Sequence, residues 1–280
     1  MRIAKPLRNL RIVFHCALLF LVWTLSLAAI PTHAQNPAAY QPPQSSQPVL
    51  GKVADLLKQA TLIDQKPFAA HPATFIATLP GGALYFEVPS MDIEDDGSVA
   101  GSPAGWVPYP LRGGHIDKVH QKEVSYSAET PISPFEVPYI VLPGGNPVWW
   151  RGQKVSIGDG AVVIRGGKRI DAVFADTGPG NKIGEMSIKC HQLFGETAIV
   201  PGKKPRLGPD GAPLKDPNTG AILADPGMVT RNSASKGPFI VIVFPGTSAG
   251  AKFVSVDTSL QPAIDKKFNT LAAGAPDSSR

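Results

Sequence analysis

From residue 83 onward the chain carries short apolar runs, each bounded by Gly, Pro or Asp: Ala83–Val88, Tyr139–Leu142, Ala161–Ile164, Ala172–Phe174 and Phe239–Phe244. Runs this short and rich in Val, Ile, Tyr and Phe predict β-strands. The stretch Ala161–Ala175 predicts a hairpin turning at Gly166-Gly167-Lys168. Helical spacing shows in three places. Gly51–Leu62 sets Val53, Leu56, Leu57 and Ala60 on one side, Glu185–Phe194 is stopped by Gly195, and Pro262–Ala272 forms a third candidate. Residues 202–237 are polar and rich in turn residues, too long for an ordinary connection, and predict a surface insertion. What remains, about 200 residues, suffices for one β-rich barrel or sandwich.

The N-terminus has a different pattern. Arg2, Lys5, Arg8 and Arg11 precede an apolar run from Ile12 to Ile30, which ends at Pro31-Thr32-His33-Ala34. Basic residues, an apolar stretch and a small-residue exit are the order of a secretory signal peptide cleaved after Ala34. The alternative is an uncleaved anchor, because 19 apolar-rich residues are just enough to span a bilayer. Either way the rest of the chain lies outside the cytoplasm, and with cleavage it has no stable membrane association. Residues 35–50, rich in Pro, Gln and Ser, predict a linker. Residues 51–280 are expected to form a single domain.

Charge narrows the function. Four of the 27 basic residues lie in the leader, leaving 23 against 22 acidic ones, so no basic surface for nucleic acid is expected. The chain has two cysteines. With Cys16 in the leader, Cys190 reads as a small buried hydrophobe, and no Cys/His spacing suggests zinc. The 28 Gly and 29 Pro favour turns and short strands.

The candidate chemistry lies in Val173–Ser187. An apolar strand ends at Asp176, a Gly/Pro turn reverses the chain, and Glu185 is expected at the start of a helix. A tight turn can thus bring two carboxyls together, as glycoside hydrolysis requires: one acid for the leaving oxygen and one carboxylate for water. The alternative is a structural turn, with Asp176 accepting backbone N–H bonds and Glu185 facing the helix dipole. Asp176-Thr177-Gly178 also has the form of an aspartic-protease triplet. That chemistry needs two aspartates, and the echo at Asp257-Thr258-Ser259 lies too close for a two-lobed enzyme, which leaves a dimeric single-lobe protease as a third reading, with Pro179 where a small residue is usual.

Ala175-Asp176-Thr177-Gly178-Pro179, then Ile183-Gly184-Glu185-Met186-Ser187 and Leu193-Phe194-Gly195, resemble the DTGP…IGE-x-S signature of the fungal-type chitosanases, glycoside hydrolase family 75. Met91–Gly97 resembles the acidic D-I-D-x-D-G turn of that family, Val137–Pro143 its PYVVLP strand, and Val243–Gly246 its C-terminal strand exit. The likeness runs through residues 83–246 in the family's order. It implies endo-hydrolysis of β-1,4-linked glucosamine polymers with inversion, without a cofactor or metal. Asp176 is then the base that activates water and Glu185 the acid. Departures are Asp95 where a Cys is frequent, Glu94 for Asp, Ala175 for Gly, and the 202–237 insertion.

The same strand–DxGP–turn–acid–Ser unit is similar to double-psi β-barrel proteins of cell-wall glycans, including the rare lipoprotein A type. This likeness implies a mainly β fold, a six-stranded double-psi β-barrel with a few flanking helices. It also supplies the alternative function, a peptidoglycan-directed enzyme or a non-catalytic glycan-binding module. Asp92, Glu94, Asp96 and Gly97 match the first half of a calcium loop, but the twelfth position falls on Pro103. The favoured role of these carboxylates is binding substrate ammonium groups. Trp149 and Trp150 are expected to face opposite ways on a strand, one toward the core and the other, taken as Trp149, against a sugar ring or an interface. The expectation is a secreted monomer acting on a chitosan-like polysaccharide.

Overall fold

The computed structural model describes residues 40–64, 68, 72–98, 100–107, 125–127, 130–144, 149–206, 208–209, 212–249 and 254–274. The expected leader, 1–34, lies outside them. The strands are β1 (Thr61–Leu62), β2 (Phe75–Thr78), β3 (Leu84–Glu94), β4 (Trp106–Val107), β5 (Ser125–Ser127), β6 (Thr130–Pro131) and β7 (Tyr139–Pro143). They continue with β8 (Gly160–Arg165), β9 (Lys168–Gly178), β10 (Glu185–Ser187), β11 (Ile199–Pro205), β12 (Ala224–Thr230) and β13 (Ser235–Phe244). The α-helices are α1 (Gln47–Leu50), α2 (Val53–Leu57), α3 (Ile188–Leu193) and α4 (Gln261–Ala272).

Six strands close on themselves in the order β3-β10-β7-β9-β8-β13, with β13 pairing back to β3. Two neighbours run parallel, β3 with β10 and β7 with β9, and the other contacts are antiparallel. The fold is therefore mainly β, a closed mixed barrel. β3 is long enough to hold β2 along 84–87 and β10 along 92–94 while β13 lies beside it.

Successive side chains alternate between two apolar clusters on opposite faces of the barrel wall. In β13, Phe239, Val241 and Val243 belong to one, and Ile240, Ile242 and Phe244 to the other. Burial on both faces is why these strands read as continuous apolar runs. In α4, Ile264, Phe268 and Leu271 form a buried stripe at helical spacing. The Arg169 guanidinium lies 4.3 Å from the Phe268 ring centre and 2.7 Å from Asp265.

The 161–175 hairpin forms between β8 and β9, across Gly166-Gly167. Other boundaries moved. The first expected helix shrinks to α2, and the chain enters β1 at Thr61 instead. The second half of the expected linker is folded: Tyr40 stacks on Phe75 at 4.1 Å, and Leu50 is buried. Within the expected insertion, residues 202–205 and 224–230 belong to the β11–β12 pair, with β4 alongside β12, and its last residues already belong to β13. Among the described residues no helix is long and apolar enough to cross a membrane.

One buried carboxyl stands apart from the site below. Glu87 of β3 accepts a hydrogen bond from the Tyr85 hydroxyl at 2.5 Å, and burial pushes its pKa up to about 8.

Candidate active site

A β-bulge builds the site. Along β7 and β9 the pairs are Tyr139 with Val173 and Ile140 with Phe174, but Val141 lies opposite Asp176. Ala175 is the extra residue, and it turns Asp176 onto the face that Val141 occupies. Val141 also pairs with Glu185, and Glu185 with Asp92. Paired residues share a face. Asp176, Glu185 and Asp92 therefore lie in one row across β9, β7, β10 and β3, while Glu94 follows in the next row beside Ser187.

The turn between β9 and β10 fixes Glu185. Gly184 has φ +104°, and a Cβ there would meet the Ser90 carbonyl at 3.0 Å. Its own carbonyl accepts the Asp92 N–H at 2.8 Å, which starts the parallel pairing. Gly178 matters through space, not angles: a Cβ there would clash with the Glu185 Oε2.

Glu185 was expected in the first turn of a helix and instead lies in β10, three residues before α3. Extended pairing with two neighbouring strands outweighs helical spacing here, and the helix-dipole argument for its charge falls away. The helix is capped by Ser187, whose Oγ accepts the Cys190 N–H at 3.3 Å. The same oxygen accepts the Tyr139 N–H at 3.0 Å and donates to the Val137 carbonyl at 2.9 Å. The serine of the signature thus ties β10 and α3 to β7.

Lys182, which sequence reasoning passed over, sits between two of the carboxylates. Its ammonium donates to Asp92 Oδ2 at 2.7 Å and to Glu185 Oε1 at 2.6 Å. Burial pulls the Lys182 pKa down, but Glu185 and Asp92 outweigh it and raise the value overall. Glu94 has the opposite surroundings. Burial, then Asp96, Glu185 and Asp176, push its pKa well above the usual carboxylate range, against one hydrogen bond from the Asp96 N–H at 2.9 Å.

The expected acidic turn is strand up to Glu94, and the chain bends only beyond it. Asp95 Oδ2 accepts the Thr230 hydroxyl at 2.6 Å, and the Asp96 carbonyl accepts the Tyr139 hydroxyl at 2.9 Å. One oxygen from each of Glu94, Asp95 and Asp96 lies within 4.8 Å of the others. The Asp96 N–H and the Thr230 hydroxyl already hold Glu94 and Asp95, so the group reads as a hydrogen-bonded acidic wall.

Trp149 and Trp150 are not on a strand: they begin a 3-10 turn, Trp149–Gln153. Trp150 is buried edge-on against Phe174 at 5.0 Å, while the Trp149 side chain lies outside the described part. A second polar group went unread. His191 Nδ1 lies 2.8 Å from Glu196 Oε2 and from Ser235 Oγ, and its Nε2 lies 3.2 Å from the Asp92 carbonyl. Serine and acid meet the same ring nitrogen, so this is not a nucleophilic triad. It anchors β3 at Asp92. Burial lowers the His191 pKa.

Chemically, the face offers carboxyls in two charge environments, one beside an ammonium and one among carboxylates. The Glu185 carboxyl reaches Gly178, two residues along β9 from Asp176. No family-level sequence profile and no curated protein matches the chain, so the chitosanase resemblance rests on the short motifs themselves.

Proposed function

We propose that this protein is a secreted, endo-acting glycoside hydrolase of the chitosanase kind, cleaving β-1,4 bonds in glucosamine-containing polysaccharide by inversion. The observation that carries this reading is the row of Asp176, Glu185 and Asp92 on one barrel face, with Glu94 beside it. Asp176 is the base that draws a proton from water. The acidic wall attracts the ammonium groups of a glucosamine polymer. The double-psi form of the barrel belongs to the same reading, and the two parallel strand pairs support it.

The test is the purified mature protein on chitosan, chitin, cellulose and peptidoglycan, with products separated by mass and their first-formed anomer read by proton NMR. Glucosamine oligomers of inverted configuration are expected. Muropeptides would instead establish a wall-directed enzyme, and binding without any product a glycan-binding module. Asp176→Asn and Glu185→Gln should each lower turnover about a hundredfold or more, with folding intact by circular dichroism. Near-parental turnover of either variant would remove that residue from the mechanism.

A further inference from the structure

The sequence gives the acid role to Glu185, yet the Lys182 ammonium lies 2.6 Å from Glu185 Oε1. An ammonium at that distance favours the charged form of a carboxyl. A general acid needs its proton in the resting enzyme. The site therefore has a second candidate for that proton, one row away on β3. Resting on the glycosidase reading, we propose that Glu94 is the proton donor of this site and that Lys182 holds Glu185 in an ion pair beside it.

The geometry separates the two glutamates. Glu185 shares Lys182 with Asp92, whereas Glu94 has no ion pair among the described residues. Around Glu94 stand Asp95 and Asp96 from its own segment, Glu185 from β10 with Lys182 behind it, Asp176 from β9, and Tyr139 from β7. The Tyr139 hydroxyl is directed to the Asp96 carbonyl. The described charged neighbours of Glu94 are thus carboxyls, and its raised pKa agrees with a proton kept there.

The step balances. Glu94 gives its proton to the glycosidic oxygen as the C1–O bond breaks. Water forms the new bond to C1 and passes its proton to Asp176. The Glu185 carboxylate, paired with Lys182, faces the positive charge that develops on the sugar ring. Exchange with solvent then returns a proton to Glu94 and removes one from Asp176.

The leaving group tests this assignment. On chitosan, Glu94→Gln should lose about a hundredfold or more in kcat. On a dinitrophenyl glycoside of a glucosamine oligomer, whose phenolate departs without protonation, the loss should stay below about tenfold. Glu185→Gln should be impaired on both. Rescue of Glu185→Gln by the aryl substrate, with Glu94→Gln equally impaired on both, would overturn the proposal. If Glu94→Gln does not fold, Glu94→Asp replaces it: a larger loss on chitosan than on the aryl glycoside supports the assignment, and equal losses refute it. Should the parent release nothing from chitosan, the glycosidase reading itself fails. Should the parent cleave and Glu94→Gln cleave as well, only the role of Glu94 fails.

Discussion

Replacing Glu87 with Gln should free the fold from a pH dependence that the parent carries. Glu87 is 3% exposed and titrates at about 8 in the native barrel, against 4.5 for the ordinary carboxyl. A carboxyl with a raised native pKa is protonated in the fold and ionised in the unfolded chain over that interval. Its contribution is fully present below pH 4.5 and is lost as pH rises through 8. At ~1.4 kcal/mol per unit, the parent should lose about 3 kcal/mol between pH 4.5 and 7, levelling near 5 kcal/mol above pH 8. Glutamine keeps an acceptor for the Tyr85 hydroxyl and cannot ionise. Its NH2 group, if left without a partner, costs ~1–3 kcal/mol at every pH. The slope of the difference is therefore the signal, not its offset. Urea unfolding of parent and variant at one-unit steps from pH 5 to 9 reads it directly. A difference that stays flat across this range would refute the reasoning, since it would mean Glu87 ionises in the native barrel as freely as in the unfolded chain.

Two further outcomes follow from the site. Gly178→Ala, at ordinary backbone angles, should drive the Glu185 carboxyl from its place; a displacement of that kind lowers kcat about a hundredfold, while the thermal midpoint moves little, and unchanged kinetics on chitosan would deny the close approach. Burial pushes Glu196 up, but Ser235, His191 and Arg165 outweigh it and hold its pKa at about 2. The stability so gained is present above pH 4.5 and fades toward pH 2; it is roughly 1–2 kcal/mol after screening. Thermal melts should therefore show parent and Glu196→Gln converging as pH falls to 2.

The strands were legible because both faces of the barrel wall are apolar, so Tyr139–Leu142 and Phe239–Phe244 announce themselves without alternation. Their hydrogen-bonding order was not, because β3 meets β10 and β13 across distances that no local pattern encodes. The carboxyls of the site were readable from the motifs, while Lys182 was hidden in a turn where a lysine reads as surface charge. The helix expected at Glu185–Phe194 began three residues late, because β7 and β3 claim Glu185–Ser187 as a strand first. His191 gave no sign at all: its partners Glu196, Ser235 and Asp92 come from three separate segments.

The inserted residue in β9 has a consequence for how such a protein changes over generations. Its candidate chemistry depends on a count as well as on a residue type. Removing Ala175 would leave every motif letter but that one in place and let the β7–β9 ladder run without interruption. The barrel would lose an irregularity, and Asp176 would rotate off the row it shares with Glu185. Insertions and deletions near residue 175 are thus a different class of event from substitutions there. A relative keeping Asp-Thr-Gly-Pro but lacking the extra residue would fold as this protein does and present a barrel face with its carboxyl row broken.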